Sequence, residues 1–152
     1  LNAPDTFKTL QKSIEKVNIP VHPINKAVGD VCGSTFFYVA DHPLANRITD
    51  LVSEVTIEIS TLDSELSGIV PTYIKMDVEG TELAALRGAE ETIKKHRPIL
   101  AICLYHKGED LYEIPHYLHE LDLDYQFYVR KYTDSVLWDL ILYAVPSERL
   151  IK

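Results

Sequence analysis

The segment Ile99-Leu100-Ala101-Ile102-Cys103-Leu104-Tyr105 carries no polar residue in alternation with its apolar ones. A strand with one face in water alternates, because successive side chains point to opposite sides of the sheet. A strand that does not alternate needs cover on both faces, which places it in the interior of a sheet with helices packed against it. Its surroundings supply those helices. Residues 73–78 read as a strand, 81–95 as a helix, and 110–121 as a second helix whose Leu111, Ile114, Leu118 and Leu121 form one apolar face. Strands and helices in this order predict parallel strands joined by crossover helices. Two further β-rich runs, 125–130 and 137–145, are joined by a polar link containing Thr133, Asp134 and Ser135, and predict a closing hairpin. The fold class is therefore α/β, with a mostly parallel sheet that ends in an antiparallel hairpin.

The first half is less regular. Phe7, Leu10, Ile14 and Val17 recur at helical spacing after Pro4-Asp5, so residues 4–17 predict an amphipathic helix. Residues 21–28 read as a strand that Gly29-Asp30 turns out of. Residues 34–39 and 55–59 read as a hairpin-like pair, with a mobile loop containing Asp41, His42, Pro43 and Asn46 between them. Thr61 suits the N-cap of a short helix through Leu66, since its hydroxyl oxygen can accept from a first-turn amide.

Composition narrows the function classes. With 152 residues, 46% of them hydrophobic, the chain can bury a core without disulfides or metals and reads as a single domain over residues 1–152. Lys plus Arg number 15 against 23 Asp plus Glu, a net charge of -8, so the general field repels nucleic acid. The densest basic cluster, Lys94, Lys95, His96 and Arg97, closes a predicted helix, where cations suit the C-terminal dipole without any ligand. Cys32 and Cys103 stand in unlike settings and read as thiols outside any disulfide, which suits a reducing, cytoplasmic compartment. The run 99–105 is far shorter than the roughly 20 residues that span a bilayer. His116 and His119, three apart on a helix, lack a third ligand nearby and read as surface residues.

The chemistry concentrates in Ile74-Lys75-Met76-Asp77-Val78-Glu79-Gly80-Thr81-Glu82-Leu83, where a strand ends and a helix begins. Ligands of open α/β sheets bind at this carboxyl edge. Asp77 at the strand tip can face the crevice, Gly80 permits the tight turn, and the following helix presents unpaired amides. Glu79 and Glu82 suit the positive end of a helix dipole, and Glu82 is read in that structural role. His106 stands at the tip of the next strand and can face the same crevice. A metal set of Asp77, Glu79 and His106 is conceivable on donor chemistry, but a metal-free site is preferred.

The block 74–88, IKMDVEGTELAALRG, resembles the signature of S-adenosylmethionine-dependent methyltransferases of the FkbM family. Tyr105-His106-Lys107, Asp110-Leu111, Ile114-Pro115, Leu142-Tyr143-Ala144 and the segment Asn25-Lys26-Ala27-Val28-Gly29-Asp30 are similar to later and earlier parts of the same family. The resemblance implies a Rossmann-like class I methyltransferase fold. It also implies methyl transfer from S-adenosylmethionine to a hydroxyl of a sugar, glycan or other small molecule. Carried over position by position, Asp77 matches the acid beside the methionine end of the cofactor, and Ala27 and Val28 match the turn against the adenine. His106 is the candidate base, and Asp77 and Glu79 are its catalytic partners.

A complete enzyme of this type would place two strands and a glycine-rich turn ahead of the Phe7 helix. Neither is present in these residues, so the expectation is a partial domain that binds the cofactor weakly by itself. The rival from another class is a non-catalytic methyltransferase-like module for partner binding. A nicotinamide dehydrogenase fits less well, because the DVEG block has no role in that chemistry. The oligomeric state is not legible in the sequence.

Overall fold

The computed structural model describes residues 4–17, 19–38, 47–49, 56–134 and 139–150. The chain falls into two compact units, the first of residues 1–27 and 31–60 and the second of residues 28–30 and 61–152. Helix α1 (Pro4–Ile14) opens the first unit. It ends earlier than the apolar spacing predicts, because Lys16 and Val17 already bond three residues back, to Ser13 and Ile14, in a tightened last turn. Four short strands follow: β1 (Ala27–Val28), β2 (Gly33–Tyr38), β3 (Arg47–Thr49) and β4 (Thr56–Ser60). They form one sheet in the order β1-β4-β2-β3. The predicted pairing of the second and third β-rich runs is present, since β2 and β4 are antiparallel with Thr35 opposite Ile57. A third strand, β3, pairs antiparallel with the other side of β2.

The predicted strand over 21–28 shrinks to Ala27–Val28. Pro23, inside the predicted run, lacks the amide a ladder needs and interrupts pairing ahead of Ala27. The polar stretch with Asp41, His42, Pro43 and Asn46 lies outside the described residues, as do Ser135 and residues 137 and 138 of the last predicted strand.

The second unit contains α2 (Leu62–Glu65), β5 (Tyr73–Met76), α3 (Glu82–Arg87), α4 (Glu90–His96), β6 (Ile99–Cys103), α5 (Asp110–Glu120), β7 (Tyr125–Lys131), β8 (Leu140–Pro146) and a closing turn of 3-10 helix. The Thr61 cap is in place, its Oγ1 accepting from Ser64 N at 3.2 Å. The sheet order is β5-β6-β8-β7. Strands β5 and β6 are parallel, whereas β6–β8 and β8–β7 are antiparallel. The sheets are thus mixed, and the expected mostly parallel arrangement is not what the described strands form. The physical reason is that β8 returns along β7 as a hairpin and takes the place beside β6, leaving one crossover-linked pair.

The non-alternating segment behaves as its composition requires. Leu100, Ala101, Ile102 and Cys103 are all essentially inaccessible. Ile74, Met76, Leu100, Ile102, Leu142 and Ala144 cluster with Leu86, Ile93, Ile114 and Leu118 from the helices. Each such large side chain contributes roughly 1.5–3 kcal/mol on burial. The helix predicted over 81–95 is instead two helices, α3 and α4, separated at Gly88 and Ala89. Asp63 of α2 caps the second of them, accepting from Glu91 N at 3.2 Å and Thr92 N at 2.7 Å.

Helix α4 ends on Arg97 in the left-handed region, with φ 46°. The Arg97 guanidinium then forms a forked pair with Glu148, at 2.7 and 2.8 Å. This bond pulls the Glu148 carboxyl down from its ordinary 4.5 to about 2. Because the folded-state value is depressed, the pair contributes above the ordinary carboxylate range and is lost as the pH falls from there toward about 2. Carbon-detected NMR titration of Glu148 should therefore give a midpoint near 2, and an ordinary midpoint would show that the pair does not form in solution.

Candidate active site

The site lies in the second unit, where β5 delivers the chain to its carboxyl edge. Ile74 and Met76 turn into the core, and Lys75 and Asp77 alternate to the other side. Lys75 Nζ donates to Asp77 Oδ2 at 3.1 Å, and the Tyr105 hydroxyl donates to Asp77 Oδ1 at 3.0 Å. Burial alone would raise the Asp77 carboxyl, but the hydrogen bonds from Lys75 and Tyr105 outweigh it and hold the group below its ordinary value. Asp77 is accordingly an ionised acid at neutral pH, about two-fifths exposed. Tyr105 is shifted the opposite way, by burial first and then by its bond to the Asp77 carboxylate.

Two successive left-handed residues, Glu79 with φ 57° and Gly80 with φ 93°, then swing the chain from strand into helix. The constraint at Gly80 is its backbone conformation rather than space, since the nearest atom to a Cβ there is the flexible side-chain tip of Lys107, 3.0 Å away at Cε. The Thr81 hydroxyl donates to Val78 O at 2.9 Å and closes the turn. Glu82 opens α3, but its side chain folds back under the turn, where Oε1 accepts from Val78 N at 2.9 Å. It is wholly inaccessible to solvent, and its second oxygen, Oε2, has no hydrogen-bond partner among the described residues.

His106 approaches from the end of β6. Its side chain is about nine-tenths buried, and Nδ1 lies 2.7 Å from Glu82 Oε1. On the other side of the ring, Nε2 lies 3.5 Å from both Asp77 Oδ1 and Glu79 Oε2. The Tyr105 ring tilts against the imidazole, with centroids 4.3 Å apart. Behind this group Asp110 is buried, and Lys107 N donates to its Oδ2 at 3.2 Å. The Asp110 carboxyl is raised by its burial and further by the negative charge of Glu82.

Asp77, Glu79 and His106, predicted from three sequence positions, thus meet around one imidazole nitrogen. Glu82 stands in the first turn of α3 as expected, and is in addition a buried partner of His106. Sequence reasoning passed over it because an acid in a first helical turn already has an ordinary explanation. The signal available was its place in the same DVEGTE block. Ala27 lies in the first unit, while Val28 belongs to the second and packs on its core. His116 and His119 are exposed, and His116 pairs with Glu120 at 3.3 Å. For a cation, Asp77, Glu82 and His106 each offer a ligand atom within 4.8 Å of the others. Two carboxylates and an imidazole suit a divalent ion by donor type. Among the described residues no helix is long and apolar enough to cross a membrane.

An ionised acid at a strand tip, a glycine turn into a helix, and a histidine from the adjacent strand end lie together at one sheet edge of an α/β fold. Comparison with known proteins places the chain in a methyltransferase family. Residues 5–127 match the family model described as the methyltransferase FkbM domain, and the chain belongs to that family. The crystal structure of methyltransferase FkbM from Methylobacillus flagellatus KT is similar to this chain, with 30% sequence identity and a TM-score of 0.72. The likeness covers 93% of this chain and 34% of that one, so the chain spans about a third of that protein's length. No curated protein sequence matches.

Proposed function

We propose that the chain carries the acceptor side of an S-adenosylmethionine-dependent O-methyltransferase, acting on a hydroxyl of a sugar, glycan or other small molecule. The observation that supports it most directly is the imidazole of His106, with one nitrogen against a buried acid and the other turned toward Asp77 and Glu79 at 3.5 Å. A hydroxyl is a poor nucleophile until its proton is removed or shared, and histidine is the side chain suited to take that proton near neutral pH. In this reading His106 Nε2 accepts the acceptor's proton, while Asp77 and Glu79 orient the hydroxyl and favour the positive charge that then forms on the ring. The remainder of the rate comes from holding the acceptor oxygen in line.

The residues present fit one end of the cofactor. Asp77 is kept ionised by Lys75 and Tyr105, which suits the ammonium of a methionine moiety. Ala27 and Val28 are assigned to the adenine on the family resemblance. When bound, S-adenosylmethionine supplies an electrophilic methyl group on a sulfonium. We read residues 1–152 as one methyltransferase domain, with a metal-free site and a reducing, cytoplasmic setting for its two thiols. Incubation with methyl-labelled S-adenosylmethionine and a panel of sugar alcohols, amines and thiols tests this. The label is expected on hydroxyl oxygen; label confined to nitrogen or sulfur, or none with any acceptor, would refute it.

A further inference from the structure

We infer that Glu82 and His106 work as a dyad, in which the buried carboxylate is a positioning residue that fixes the imidazole with its proton on Nδ1 and its lone pair on Nε2. The inference deepens the preceding reading of the same site and rests on it for its meaning in catalysis. Its structural content stands on geometry alone. Glu82 Oε1 already accepts from Val78 N at 2.9 Å, so at 2.7 Å from His106 Nδ1 it completes an acceptor site for an N–H. The carboxylate is held from both ends: its backbone starts α3, and its head is tied to the strand tip that also carries Asp77. It therefore sets the ring's orientation relative to Asp77 with little freedom.

Oε2 has no partner among the described residues, so Oε1, set between Val78 N and His106 Nδ1, is the oxygen through which the carboxylate is tied to the ring. Asp77, Glu79 and Asp110 add negative charge around the same ring, and Lys75 offsets part of it at Asp77 Oδ2. The step balances: the acceptor O–H bond breaks and its proton bonds to Nε2, while the freed oxygen pair would form the new O–C bond as the methyl–sulfur bond of S-adenosylmethionine breaks and the sulfonium leaves as a neutral thioether.

Nitrogen-15 NMR of the histidine rings in the chain alone tests the dyad without cofactor or acceptor. Neutral His106 is expected as the Nδ1–H tautomer, and Glu82→Leu is expected to shift it to Nε2–H, whereas Glu82→Asp, which keeps a carboxylate, should retain at least part of the Nδ1–H population. An Nε2–H tautomer in the unsubstituted chain, or a tautomer unmoved by Glu82→Leu in a folded protein, would overturn the inference. Should Glu82→Leu not fold, the tautomer of the unsubstituted chain still decides it. Where turnover is measurable, Glu82→Gln should lower kcat roughly 10- to 100-fold with KM nearly unchanged, the behaviour of a group acting on the base. Failure of methyl transfer with the Nδ1–H tautomer intact would count against the enzyme reading and leave the dyad standing.

Discussion

Gly88→Ala is expected to destabilise the second unit by about 3 kcal/mol, at the upper end of what overpacking costs, and to shift its urea midpoint accordingly. Gly88 has an ordinary φ of -73°, so no conformational restriction forbids alanine. The obstacle is space. A Cβ at position 88 would stand 2.0 Å from the carbonyl oxygen of Gly29 and 3.3 Å from Asp30 Cα. Both are backbone atoms and cannot swing aside as a side-chain tip would. Gly88 is also fixed on its own account: its N bonds to Ala84 O at 2.9 Å, and its O accepts from Asp63 N at 2.9 Å. Asp63 in turn caps α4, so any displacement of Gly88 is passed to the helix pair. Gly108→Ala is the control, because nothing lies within 4 Å of a Cβ there. It should change stability by no more than ~0.5 kcal/mol. A wild-type midpoint for Gly88→Ala would mean that Gly29 does not approach it in solution.

The same glycine marks a limit of the sequence reading. Along residues 81–95 the apolar spacing continues past Gly88, and an isolated glycine inside a helical pattern is tolerated at modest cost, so one helix is the natural expectation. What divides it is the approach of Gly29 from far back in the chain, which no local pattern contains. The central strand was legible because its chemistry is local: a run without alternation has to be covered on both faces, and Ala101 and Cys103 are as inaccessible as Leu100 and Ile102. The closing hairpin was legible for a similar reason. Its insertion beside β6, which makes the sheet mixed, was not, because the choice of neighbour is settled by packing among distant strands. At the site, Asp77, Glu79 and His106 were visible as polar residues where apolar strands end. Glu82 was hidden, since its burial depends on a histidine that arrives from another element.

His106→Ala is expected to lower turnover by roughly 10²- to 10⁴-fold, the range supplied by a positioned general base. Its effect on the fold should be smaller than that of Gly88→Ala. Removing the imidazole opens a space beside Asp77, which keeps its bonds from Lys75 and Tyr105 and so retains the charge assigned to cofactor binding. The substitution also takes from Glu82 one of its two donors, leaving only Val78 N on Oε1. That gives the experiment a second readout. If His106 is the base, titration calorimetry with S-adenosylmethionine should return the same affinity as the unsubstituted protein, while methyl transfer falls. If the histidine serves only to compensate Glu82, then His106→Gln, whose amide can still donate to the carboxylate, should restore stability and turnover together. Restored stability with turnover still lost separates the chemical role from the structural one. Turnover that survives in His106→Ala would remove the imidazole from the mechanism and leave Glu79, across the same 3.5 Å gap, as the next group to test.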